Sequence, residues 1–300
     1  MRLKGVYVAV VTPFKNGQID EKAYEAYLEG LINTGISGIV VCGSTGESSM
    51  LSMEEHIYLF KLSKEIVKNR IQVIANSGAN STHEAIYLTQ EAEKVGVDAA
   101  LSVVPYYVKP TQEGLYLHFK AIHDETKNIP LIIYNVPGRT VVDIKVETVV
   151  RLSKLERYIG IKEASSDMEK VSLLVSQTKP DFSVLSGNDS TFLPLLSVGG
   201  HGVISVIGNI MPKEFVELYD SAIRGDLAKA IDINTKMLPL YQALSFEANP
   251  IPVKYALYKM GQVSDELKLP LTILSEPYQK KMDQVLKDLS LIWAILSEYS

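Results

Sequence analysis

The sequence predicts an α/β fold, a (β/α)8 TIM barrel with a C-terminal α-helical appendage. Three observations carry this reading. Eight short runs rich in Val and Ile recur between residues 5 and 208, helical stretches lie between them, and the β pattern stops near residue 226. The runs are GVYVAVV (5–11), GIVVCG (38–43), IQVIAN (71–76), DAALSVV (98–104), PLIIYNV (130–136), YIGIK (158–162), FSVLSG (182–187) and GVISVIG (202–208). They are apolar on both faces rather than alternating, as strands of a parallel sheet covered on both sides must be. Eight strand–helix units match the count of a closed barrel. An open doubly wound sheet would be expected to carry a Gly-x-Gly-x-x-Gly turn after its first strand, and none follows it here.

The intervening stretches EKAYEAYLEGLINTG, MEEHIYLFKLSKEIVKN, STHEAIYLTQEAEKVG and TQEGLYLHFKAIHDET read as helices. Ser81 and Glu84 have the spacing of a capping box, and Gly35 and Gly96 stand where C-terminal helix glycines belong. Beyond the barrel, LAKAIDINTKMLPLYQAL, PVKYALYKMG and EPYQKKMDQVLKDLSLIWAILSEY read as helices. The expected division is a barrel over 1–225 and a helical unit over 226–300. No linker or low-complexity stretch separates the two, so the helices are expected to pack on the barrel.

Composition narrows the function classes. Thirty basic against 35 acidic side chains give a net charge of −5, which suggests neither a nucleic-acid nor a membrane-surface partner. No run approaches the ~18 apolar residues of a membrane span. The opening MRLKGVYVAVVTPFKNG is short, β-branched and followed by Pro13, unlike a secretory leader. The single cysteine, Cys42, allows no intrachain disulfide and fits a reducing cytoplasm. The five histidines (His56, His83, His118, His123, His201) are scattered without His-x-His or His-x-x-x-His spacing, which disfavours a metal centre.

In a barrel of this kind the active site lies at the C-terminal ends of the strands. Those ends bring Thr12-Pro13, Gly43–Ser48, Pro105-Tyr106-Tyr107, Tyr134–Arg139, Lys162–Ser165 and Ser186–Asp189 to one rim. Lys162 follows an apolar strand. Desolvation there favours the free amine, which attacks carbonyls and makes the resulting imine an electron sink. The same lysine could equally cap the strand end and pair with Glu163, although strand alternation points Glu163 the other way. Tyr134 ends the preceding strand, where a phenol can exchange protons with a carbinolamine or imine. Ser44 and Tyr107 are candidates to relay that proton, and strand-end packing is the competing role for such tyrosines. GSTGES (43–48) can cradle a carboxylate through loop amides and the Ser44 and Thr45 hydroxyls, and it lacks the Lys-Ser/Thr of a P-loop. Arg139 offers a planar fork for a carboxylate, or an ordinary exposed salt bridge.

Taken together and in this order, GSTGES, PYY, YNVPGRT, GIKEAS and NPIPVK resemble the dihydrodipicolinate synthase family. These are the 4-hydroxy-tetrahydrodipicolinate synthases of the pyruvate-dependent class I aldolase superfamily, which also contains N-acetylneuraminate lyase. The resemblance extends to about residue 290 and leaves 291–300 uncovered. It implies that Lys162 forms a Schiff base with pyruvate, with no added cofactor. Tyr134, Ser44 and Tyr107 would relay protons, Tyr107 from a neighbouring subunit, and Thr45 would hold the pyruvate carboxylate. Arg139 would hold the carboxylate of L-aspartate 4-semialdehyde, and Gly187 and Ile204 would contribute backbone to the imine pocket. Ser44 departs from the family's usual threonine: the hydroxyl survives with a less restricted rotamer. Arg139 and NPIPVK separate the synthases from the neuraminate lyases. Ser48, Ser49, His56, Asn80, Glu84 and Tyr106 match a feedback site for L-lysine, where Met53 replaces a common histidine and Glu84 could instead serve only a helix cap. The resemblance further implies a homotetramer, a dimer of dimers. A neuraminate-type lyase and a non-catalytic barrel that senses pyruvate or lysine are the alternatives.

Overall fold

The structure, a computed structural model, describes residues 2–292. The eight expected strands are all present. They are β1 (Gly5–Ala9), β2 (Gly38–Val41), β3 (Gln72–Asn76), β4 (Ala99–Val103), β5 (Leu131–Asn135), β6 (Tyr158–Glu163), β7 (Ser183–Ser186) and β8 (Gly202–Ser205). Each pairs in parallel with its sequence neighbours, and β1 pairs with both β2 and β8, closing the barrel. The Val/Ile runs are explained by two layers of packing. Tyr7, Val40, Ile74, Leu101, Ile132 and Leu185 fill the interior, while Val6, Val8, Ile39, Val73, Ile133 and Val184 face the surrounding helices.

One register irregularity bears on the direction of the rim side chains. β5 and β6 pair Leu131 with Tyr158 but Ile132 with Gly160, so Ile159 is an extra residue in β6. Beyond this bulge the pairing runs Ile133–Ile161, Tyr134–Lys162 and Asn135–Glu163. A short hairpin, Phe14–Lys15 with Gln18–Ile19, lies between β1 and the first helix and was not expected from the sequence.

The expected helices occur at Glu21–Ile32, Met53–Val67, Thr82–Val95 and Gln112–Asp124. Gly96 ends the third in the left-handed region at φ 78°, as its C-terminal position implied. Only half of the capping box expected at Ser81 forms: Ser81 Oγ accepts from Glu84 N at 3.5 Å. A reciprocal box stands instead one helix earlier, where Ser52 Oγ accepts from Glu55 N and Glu55 Oε2 accepts from Ser52 N. Glu84 is free of the return bond because its side chain lines a cavity.

After the barrel come helices Leu227–Ala243, Ile251–Lys259 and Glu276–Asp288, and residues 293–300 of the expected last helix lie outside the described residues. The helical part packs on the barrel, as expected. Lys268 Nζ reaches Glu55 Oε1 at 2.7 Å, and Asn249 and Lys254 bond the loop after β2. Among the described residues no helix is long and apolar enough to cross a membrane.

Buried His118 makes stability depend on pH. Its Nδ1 meets Thr82 Oγ1 at 2.9 Å, and its Nε2 is sealed without a partner among the described residues. Burial pushes its pKa down from 6.5 to about 4. The unfolded chain therefore takes up the proton first as pH falls, so stability drops from near pH 6.5 and the loss is complete near pH 4. The expected total is about 3 kcal/mol from this one group. Urea unfolding across that range, with His118→Gln as the comparison, checks it: the variant should show the shallower fall.

Candidate active site

Lys162 is 8% exposed and points into the barrel mouth, with Tyr134 directly beside it on β5. Its Nζ lies 4.2 Å from the centre of the Tyr134 ring. Pairing with Glu163 does not occur. Glu163 points outward, where its carboxylate accepts from Asn135 Nδ2 at 2.9 and 3.0 Å and from Ser165 N at 2.7 Å. Its charge is balanced there by buried Lys170 at 3.1 Å. Among the described residues Lys162 takes part in no salt bridge, so its amine faces the cavity uncommitted.

That cavity encloses about 400 Å³. Ser44, Thr45, Tyr134, Arg139, Lys162 and Gly187 all line it, so six of the eight residues expected to act on substrate converge. Thr45 is buried and its Oγ1 accepts from Asn249 Nδ2 at 3.0 Å. Arg139 sits exposed at the mouth on the short helix Pro137–Thr140, and its Nη2 donates to the Asn249 carbonyl at 2.9 Å. Gly187 is needed for room: a Cβ there would lie 2.6 Å from Ala164 Cβ and 3.2 Å from Lys162 Cε. Gly46 serves packing, since a Cβ there would meet Val10 O at 3.1 Å and Thr12 Oγ1 at 3.3 Å.

Two expected residues stand elsewhere. Ile204 is buried in the barrel's interior cluster and does not line the cavity, whereas Val206 beyond the strand end does. Tyr107 lies outside the cavity altogether: it is 86% exposed, in the left-handed region at φ 71°, beside exposed Val108. A bulky residue in that conformation costs free energy.

Four residues whose role does not show in the sequence belong to this neighbourhood. Asp189 lines the cavity, its Oδ2 accepting from Val206 N at 3.0 Å and Ile207 N at 2.8 Å. Burial pushes its carboxyl up against those bonds, with the positive charge of Lys162 among the opposing influences. Tyr241 closes one side, its phenol also pushed up by burial. Asn249 ties Thr45 to Arg139 through its side chain and its carbonyl. Lys254, fully buried on Ile251–Lys259, pairs with fully buried Glu47 at 2.5 Å. Lys254 stands out in the sequence as a lone charge inside the apolar stretch IPVKYAL.

A second cavity of about 420 Å³ adjoins the first and shares Ser44, Tyr134, Val136, Arg139 and Asn249 with it. Ser48, Ser49, His56, Glu84 and Tyr106 line it, together with Met53. Asn80 does not, although its backbone bonds Tyr106 and opposes the rise that burial and the Glu84 charge give that phenol. Burial pushes the His56 imidazole below its ordinary range, opposed by the contact of its Nε2 with Asn76 O at 2.8 Å.

Fold and site together define a (β/α)8-barrel enzyme whose mouth gathers a buried lysine amine, hydroxyls and a guanidinium around one cavity. The chain belongs to the dihydrodipicolinate synthetase family, whose model matches residues 2–289. It is 51% identical to the 4-hydroxy-tetrahydrodipicolinate synthase of Thermodesulfovibrio yellowstonii over 289 residues, 96% of this chain and 99% of that one. Among solved structures it resembles the chloride-inhibited dihydrodipicolinate synthase of Acinetobacter baumannii complexed with pyruvate. That match has a TM-score of 0.94 and 46% identity, and covers 96% of this chain and 99% of that chain. It also resembles the enzyme of Cyanidioschyzon merolae with lysine bound, at TM-score 0.94 and 37% identity, covering 96% and 99%.

Proposed function

We propose that this protein is a lyase that condenses pyruvate with L-aspartate 4-semialdehyde to 4-hydroxy-tetrahydrodipicolinate, a step of diaminopimelate and lysine biosynthesis. The observation that carries it is the pairing of Tyr134 with Lys162, whose amine has no carboxylate partner among the described residues and opens on the cavity at the barrel mouth. The Lys162 amine adds to the pyruvate ketone, and loss of water leaves an imine. The imine acidifies the methyl group, a proton leaves to give the enamine, and its carbon attacks the aldehyde. The aldehyde oxygen takes up a proton, the product cyclises through its own amine, and Lys162 is released. Tyr134 and Ser44, with Tyr107 of a second subunit, carry the protons. Thr45 holds the pyruvate carboxylate and Arg139 that of the semialdehyde. The exposed Tyr107 tip supports assembly, for which we propose a homotetramer built as a dimer of dimers. We divide the chain into a catalytic barrel up to residue 225 and a helical unit from residue 226 on, which supplies Asn249 to the site.

Sodium borohydride with pyruvate, followed by intact mass and peptide mapping, tests the imine: a pyruvate-sized adduct on Lys162 is expected, and its absence would exclude every Schiff-base reading, leaving a sensor barrel. Activity with aspartate semialdehyde but not with N-acetylneuraminate then separates synthase from neuraminate lyase.

The adjoining cavity is proposed to bind L-lysine, with Glu84 facing an ammonium and the Ser48 and Ser49 region and Tyr106 completing the polar lining. Met53 offers no donor there, which weakens the hold. Titrating L-lysine to millimolar levels should inhibit the wild type and leave Glu84→Gln less affected. An uninhibited wild type rules the site out.

A further inference from the structure

Glu47 and Lys254 are an ion pair for which the reaction has no use. Both are fully buried, and Nζ lies 2.5 Å from Oε1. Glu47 Oε2 accepts from Lys268 N at 2.9 Å, and Lys254 Nζ lies 4.3 Å from the centre of the Phe14 ring. Taking two charges out of water is costly, and apolar replacements of such pairs are often neutral or stabilising. Stability alone therefore gives no reason for it.

Its placement does. Glu47 closes the turn Ser44–Gly46 and sits in the left-handed region at φ 61°, a conformation that must be held from outside. Lys254 lies in the first turn of helix Ile251–Lys259, five residues past Asn249, the residue that bonds both Thr45 and Arg139. The GSTGES loop and the start of helix Ile251–Lys259 are thus tied at two points, on either side of Gly46: Thr45 to Asn249 and Glu47 to Lys254. Two ties fix an orientation, where one would fix only a separation. Neither Glu47 nor Lys254 lines the Lys162 cavity.

We propose that the Glu47–Lys254 pair is a clamp that positions Thr45 and, through Asn249, Arg139, holding the two carboxylate-binding groups at a set distance around Lys162. Both are positioning residues, and the proposal rests on Lys162 forming a Schiff base with pyruvate.

The test uses the full chain. Glu47→Gln preserves shape; Lys254, which burial already holds below the ordinary lysine range, then sheds its proton more readily. Glu47→Gln combined with Lys254→Met leaves neither charge of this pair. Borohydride trapping is measured against pyruvate concentration, with steady-state kinetics in both substrates and a thermal melt for each protein. Misplacement of a binding group by under an ångström is expected to raise half-saturating pyruvate and the semialdehyde KM about tenfold, with the maximal trapping rate kept within about threefold. The shift should persist in the double variant even where its melting temperature returns to that of the wild type. A merely structural pair predicts the reverse, KM values that recover with stability. Wild-type KM values in Glu47→Gln and in the double variant would overturn the clamp alone. A wild-type protein that traps no pyruvate on Lys162 would overturn the clamp and the reaction together.

Discussion

Lys162→Arg is expected to lower kcat/KM by about 10⁴-fold or more, the scale of losing a covalent nucleophile. Arginine keeps the positive charge and nearly the length of lysine, but it stays protonated and cannot form the imine. The borohydride adduct should vanish as well. The melting temperature should change little if the guanidinium reaches the open part of the cavity, and a melt run beside the kinetics separates lost chemistry from lost fold. The space beside the side chain is kept by Gly187, where an added Cβ would lie 3.2 Å from Lys162 Cε. Lys162→Met, which has no charge to place, is the second variant. Retention of condensation by both would remove Lys162 from the mechanism.

Tyr134→Phe should cost about 10²–10³-fold in kcat, the usual contribution of a positioned acid–base group. The change is selective. The ring that lies 4.2 Å from Lys162 Nζ remains, so packing and the ring's electrostatic contact with the ammonium survive while only the hydroxyl goes. Imine formation measured by trapping should slow along with turnover, because carbinolamine dehydration needs the same proton. A Phe variant within a few-fold of wild type would show that the ring matters and the hydroxyl does not. Ser44 offers a graded companion: Ser44→Ala should reduce turnover less than Tyr134→Phe, since a relay member hands on a proton that solvent can also supply.

Much of this site was legible along the chain. Lys162 and Tyr134 end consecutive apolar runs, and consecutive strands of a parallel barrel are neighbours, so their meeting followed from order alone. Ser44, Thr45, Arg139 and Gly187 likewise stand at strand ends, where barrel geometry collects them. Other expectations depend on more than strand order. Ile204 is implied by the resemblance as a backbone contributor to the pocket; its side chain lies in the barrel's packed interior, one residue before β8 stops at Ser205. The Ser52–Glu55 box was written in the sequence and overlooked in favour of Ser81–Glu84, whose acid turns to a cavity instead. The pairing of Asn249 with Thr45 and of Lys254 with Glu47 was beyond reach, since the partners lie some two hundred residues apart and no spacing rule connects a helix of the appendage to the loop after β2.

The sequence by itself determined the barrel, its closure from eight units, and the identity of the residues at its mouth. It could do so because burial on both faces imposes continuous Val/Ile runs, and parallel order makes each strand end a neighbour of the next. Tertiary structure decided which way the lysine faces. Side chains alternate along a strand, so a register slip of one residue would turn Lys162 out among the helices and Glu163 inward. The extra residue at Ile159 sets that register against β5, and no local propensity encodes it, because a bulge is stable only when the flanking strands and helices pack around it. The buried Glu47–Lys254 pair belongs to the same class: each charge is tolerable only once the fold has brought the other within 2.5 Å.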